Sequence, residues 1–161
     1  MNDQTFLPLL DNISARLNAE ENALRLALLN RILDAEGDAE GLSLRSADPA
    51  DREAYAGLME KKCLVPDARG NLQFLYPVSV PPTPHRVRLA DGRSFYAMCA
   101  IDAMGAAFTF RQDVEIASRC SHCAQPVNLA VRGGEIEDLK PPATHVLHVD
   151  LNKFGDWSAS C

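Results

Sequence analysis

Along the first eighty residues, apolar positions recur mostly at helical spacing. Phe6, Leu9, Leu10, Ile13 and Leu17 predict a short amphipathic helix over 4–18. Residues 20–36 give a firmer one, with Leu24, Leu28 and Ile32 on a stripe widened by Ala27, Leu29 and Leu33 and with Gly37 placed to end it. Asp48-Pro49 is a helix start, an N-cap followed by proline at the first helical position, and the helix runs through Tyr55, Leu58 and Met59 to about Lys62. Cys63–Pro66 and Leu72–Tyr76 then read as strands about the turn Asp67-Ala68-Arg69-Gly70-Asn71. Helices followed by a hairpin make a winged-helix pattern.

Pro77 and Pro81-Pro82-Thr83-Pro84 interrupt this pattern and mark the expected boundary between a domain at 1–80 and another at 81–161. Beyond them the period shortens. Arg86–Leu89 and Arg93–Tyr96 flank Asp91-Gly92 as a hairpin. A helix rich in Ala and Met, carrying Cys99 and Asp102, is expected to end near Gly105. Val114–Ala117, Val127–Val131 and Thr144–Val149 read as strands, with Arg132-Gly133-Gly134 as a turn. The fold class is therefore α+β: a winged-helix-like unit, then a small, mostly antiparallel sheet with one helix beside it.

Charge narrows the partners. Residues 1–80 carry 13 acidic and 8 basic side chains, and residues 81–161 carry 9 and 8. A nucleic-acid surface needs the opposite sign, so the winged-helix pattern reads as a packing module. No apolar run reaches the ~20 residues of a membrane span, and no basic, then apolar, leader opens the chain. A cytoplasmic protein with mostly reduced thiols is expected.

Of the five cysteines, Cys99, Cys120, Cys123 and Cys161 fall in the second half, a clustering that points to metal or thiol chemistry. Cys63, beside Leu64 and Val65, reads as core. In a helix Cys99 and Asp102 share a face, and a carboxylate beside a thiol can hold or pass its proton. The plain reading of the same spacing is a buried Cys and a solvent-facing Asp. Met98, Ile101, Met104 and Phe108 are near enough in sequence to supply apolar surroundings that would raise the acid's pKa. Cys120-x-x-Cys123 is half of a tetrahedral zinc site. Its completion would fall to Cys99, Cys161, His122, His145 or His148, whose spacings match no zinc pattern, so structural zinc is not favoured. His145 and His148 point to opposite faces of their strand, and His85 is expected to be exposed; none reads as a general base. Ser121 lacks an oxyanion signature.

Three features in order resemble the alkylmercury lyase family. They are Cys99-Ala-Ile-Asp102 after the Asp91-Gly92 hairpin, Ser118-Arg119-Cys120 before Pro126-Val127, and Cys161 after Trp157. The resemblance implies protonolysis of a carbon–mercury bond, with Cys99 and Cys161 as thiol ligands, Asp102 as proton carrier, and all three, Asp102 included, at the bound mercury. Cys120 matches a cysteine the family uses structurally. The family also carries an N-terminal winged-helix-like domain not known for DNA binding. No organic cofactor is implied. Hg(II) would stay on the two thiolates until a cytosolic thiol or a mercuric reductase takes it. Family members continue past the second catalytic cysteine, so the expectations are a chain truncated after Cys161, a Cys161 tethered through Trp157, or a weak activity. Cys123 is an addition to the family pattern. It opens the alternative of a non-catalytic metal-binding or metal-sensing protein using Cys99, Cys120, Cys123 and Cys161.

Overall fold

The computed structural model describes residues 13–35 and 51–147. The expectations for residues 4–12, Gly37, Asp48-Pro49, His148, Trp157 and Cys161 lie outside the described residues. In chain order the elements are α1 (Ile13–Arg16), α2 (Ala19–Asp34), α3 (Arg52–Glu60), β1 (Leu64–Pro66), β2 (Leu72–Leu75), β3 (Val78–Ser79), β4 (Arg86–Leu89), β5 (Ser94–Ala97), α4 (Ala100–Phe110), β6 (Val114–Arg119), β7 (Pro126–Arg132) and β8 (Glu135–Lys140).

Helix α2 starts where its capping chemistry puts it. The Asn18 side chain accepts from the Glu21 amide at 2.8 Å, and Glu21 Oε2 accepts from the Asn18 amide at 2.8 Å. Its Leu28, Leu29, Ile32 and Leu33 are buried. Helix α3 begins at an N-cap Asp51 that makes no side-chain capping bond, and it buries Leu58. The turn between β1 and β2 closes on Asp67, whose Oδ1 accepts from the amides of Arg69 and Asn71 at 2.8 Å each.

All the strands among the described residues join one sheet of eight, in the order β1-β2-β3-β5-β4-β6-β7-β8, every pair antiparallel. This sheet crosses the boundary expected at the prolines: Val78 and Ser79 of β3 pair with Ala97 and Tyr96 of β5. One apolar cluster joins Leu29 of α2, Leu58 of α3, Leu75 of β2, Val87 of β4 and Ala106 of α4. The proline segment is thus a bend along a shared sheet, not a gap in packing. Thr83 Oγ1 holds it by donating to the Ala97 carbonyl at 2.6 Å.

Two further expectations are corrected. The α4 helix continues past Gly105 to Phe110 and ends at Arg111 in the left-handed region, with φ 52°. It continues because Ala103, Ala106 and Ala107 bury a face of small residues against the sheet. The last strand among the described residues is Glu135–Lys140, and residues 141–147 form none. That strand lacks apolar alternation because it is an edge, exposed at nearly every position and charged at Glu135, Glu137 and Asp138. Gly133 and Gly134, with φ of 56° and 88°, supply the two-residue turn that folds it back.

Candidate functional site

Strand β5 delivers the chain to the start of α4, and Cys99 occupies its N-cap with extended backbone (φ −145°, ψ 177°). Asp102 is then the third helical residue, facing back across the first turn. Cys99 Sγ lies 3.3 Å from Asp102 Oδ2, in position to donate. The Cys99 amide also donates to the Asp102 carboxylate. This is half of a capping box with a thiol where serine or asparagine usually stands.

The plain reading of the spacing is reversed: Asp102 is buried, at 4% exposure, and Cys99 is the half-buried member. Burial raises the Asp102 pKa, helped by the charge and hydrogen bond of Cys99, to about 9. The amide bond opposes this without overcoming it. At neutral pH the carboxyl therefore keeps a proton next to a sulfur.

The apolar surroundings differ from those expected. Ile101 (37% exposed) and Phe108 (55% exposed) face outward, whereas Ala103 and Ala106 are buried. A residue that sequence reasoning missed, Tyr76, backs the helix. A Cβ at Gly105 would meet Tyr76 Oη at 2.9 Å, so glycine is what permits this approach. The Tyr76 hydroxyl is pushed up to about 12 by burial and by the negative charges of Asp102 and Cys99. Arg25 of α2, 1% exposed, stacks its guanidinium 5.5 Å from the Tyr76 ring centroid and donates from Nε to the Tyr76 carbonyl at 3.0 Å. Its Nη2 reaches Thr109 Oγ1 of α4 at 3.3 Å. The available signal was a charged residue in phase with Leu29 and Ile32 on the buried stripe. Tyr76 carried no such signal.

The other candidates lie apart from this pair or outside the described residues. Cys161 is among the latter. Cys63 is core, as expected, with its thiol pushed up to about 11 by burial. Cys120 and Cys123 occupy the turn between β6 and β7, with His122 and Ser121 exposed between them. Among the described residues no three His, Cys, Asp or Glu side chains come together as a metal cluster. His85 is half-buried rather than exposed. Its Nδ1 meets Ser118 Oγ at 2.7 Å, and burial lowers its pKa. His145 is exposed. An open groove lined by Arg86, Arg88, Glu115, Asn128 and Arg132 crosses the outer face of the sheet and includes neither Cys99 nor Asp102. No helix among the described residues is long and apolar enough to cross a membrane.

Fold and site together define an α+β protein with a buried acid paired to a thiol at a helix start. The chain belongs to the alkylmercury lyase family, whose model matches residues 78–161. An alkylmercury lyase of Staphylococcus epidermidis is 33% identical over 66 residues, which are 41% of this chain and 30% of that protein. The chain thus spans less than a third of the length of the curated relative it matches. The crystal structure of the mercury-bound form of MerB2 shares the fold, with a TM-score of 0.55 at 22% identity over 81% of this chain and 64% of that one.

Proposed function

We propose that this protein is an organomercurial lyase that cleaves carbon–mercury bonds by protonolysis, giving a hydrocarbon and Hg(II). The observation that carries the reading is the Cys99–Asp102 pair, 3.3 Å apart, with the acid buried and still protonated at neutral pH. Hg(II) is a soft cation, so thiolates outcompete imidazole and carboxylate for it. In the proposed sequence the Cys99 sulfur bonds to the mercury of R–Hg–X while its thiol proton leaves with X⁻ as HX, and a second thiol then binds the same mercury. That second thiol is Cys161, by the family pattern. Two sulfur donors raise electron density on mercury and weaken the Hg–C bond. Asp102 delivers the proton it already holds to carbon and regains one from the second thiol as that sulfur binds; R–H leaves, and Hg(II) remains as a dithiolate.

Oxidation states are unchanged throughout, which is why no organic cofactor is needed. The substrate is an organomercurial, and the acceptors proposed for the product are cytosolic thiols or a mercuric reductase, in a cytoplasmic setting. Residues 1–80 serve as a winged-helix-like packing module that supports Tyr76 through Arg25, without a nucleic-acid partner. The residues assigned to the reaction lie in 81–161, which share one sheet and core with 1–80. Asp102→Ala tests the assignment: the variant should bind phenylmercury but release no benzene. Release at the parental rate would remove Asp102 from the mechanism.

A further inference from the structure

The turn between β6 and β7 has no part in that sequence, yet its backbone is closely fixed. The Cys120 amide donates to the Gln125 carbonyl, and the Ala124 amide to the Cys120 carbonyl, each at 2.9 Å. Ala124 takes a left-handed conformation, φ 58°, that folds the chain back on itself. Arg119 Nη1 braces the fold at the Ala124 carbonyl, 3.4 Å away. The consequence is convergence on one sulfur: the amides of Cys123 and His122 and the Cys123 thiol all turn toward Cys120. The two thiols are thus close enough on one fixed turn to act on each other, as a shared ion requires. Cys123 is exposed and Cys120 half-buried, so the pair is open to solution.

We propose that Cys120 and Cys123 form a second soft-metal site, distinct from the Cys99–Asp102 pair, that takes a two-coordinate thiophilic cation of the mercuric class as a bis-thiolate. Zinc would need four ligands, and among the described residues no third His, Cys, Asp or Glu joins this pair. A linear d¹⁰ cation needs only two sulfurs. Spanning it with bonds of about 2.3 Å asks for a rotation of the exposed Cys123 side chain. The exchange is balanced without redox change: Hg²⁺ replaces two thiol protons, and both protons go to solvent. No carboxylate is among the groups acting on Cys120, so this site holds the ion without the acid needed to protonate carbon. It can therefore carry mercury but not cleave its bond to an alkyl group. Binding here stands independently of the lyase reading.

The test titrates the full, reduced chain with mercuric chloride under a glutathione excess and counts mercury retained per chain. The parent should retain one equivalent more than Cys120→Ser/Cys123→Ser. Cys123→Ser alone, at an exposed turn position, should lose the same equivalent while still releasing benzene from phenylmercury. Equal retention by parent and Cys123→Ser would overturn the proposal. So would one zinc per parent chain, purified without chelator and lost in Cys123→Ser, because that would mark a closed zinc site. Benzene release is read separately, so a failed protonolysis assignment leaves the mercury count intact.

Discussion

Helix α2 opens with Asn18 and Glu21, helix α4 with Cys99 and Asp102, and in both the N-cap residue faces the third helical residue across one turn. Both acids expose only 4% of their surface, but Glu21 lies just under the protein surface and Asp102 lies deep. Their pKa values move in opposite directions. Glu21 is held below the ordinary carboxylate range, chiefly by Lys61, whose Nζ lies 2.6 Å from Oε2 and whose side chain is itself 34% exposed. Asp102 has no such cation among the causes of its shift. Its neighbour is a sulfur, and burial beneath the fold drives it up to about 9. The same local device is thus a structural clasp in one helix and a proton store in the other. The difference lies in what the tertiary structure lays beside the acid.

The largest expected contrast is in turnover. Asp102→Asn should slow hydrocarbon release by about 10²–10⁴-fold, the usual worth of a positioned general acid. Glu21→Gln, assayed in parallel, should change it less than about twofold, since surface-side clasps lie outside the chemistry. Comparable losses in both variants would mean the clasp and the proton store are not distinct. In the parent, the rate should fall as pH rises through about 9, where Asp102 gives up its proton.

Stability should separate the two acids next. Above the unfolded-state pKa of about 4, unfolded Asp102 has lost its proton while the folded group keeps it up to about 9. The folded state therefore binds more protons, and Asp102 erodes stability as pH climbs through that window, by on the order of a few kcal/mol. Asp102→Asn should remove the slope in denaturant titrations at pH 5 and pH 8. Glu21, with its lowered pKa, contributes stability that is present above its unfolded pKa and is lost as pH falls through the folded value. Glu21→Gln should accordingly flatten only the acid limb.

A smaller effect tests the backing of the proton store. Gly105→Ala would place a methyl 2.9 Å from Tyr76 Oη. Overpacking costs about 1–3 kcal/mol, against roughly 1 kcal/mol of helix propensity gained, so a net loss of about 1 kcal/mol with slower turnover is expected. Thermal melts and single-turnover rates check both parts. Smallest is Asn18→Ala, which should lower stability by about 1 kcal/mol through the lost cap and leave turnover alone.

What the residues disclosed, and what they did not, follows the range of the interactions. Cys99 and Asp102 were legible because their contact spans one helical turn, and the hairpin at Asp91-Gly92 because two residues decide it. The depth of Asp102 was not legible. It depends on Tyr76 and Arg25, which reach α4 from 26 and 77 positions earlier in the chain. Gly105 read as a stop because glycine is a poor helix former, whereas here it makes room for a phenol. Strand β8 was hidden by its charged, edge-strand composition. The proline run read as a boundary because nothing local reveals that β3 and β5 pair across it.

Whether the pair can protonate carbon turns on Asp102 staying protonated beside Cys99 at neutral pH. Infrared difference spectra of parent minus Asp102→Asn, taken from pH 6 to pH 10, test it most directly. A protonated carboxyl band should be present at pH 7 and be lost with a midpoint near 9. An ionised carboxylate already present at pH 6 would contradict it.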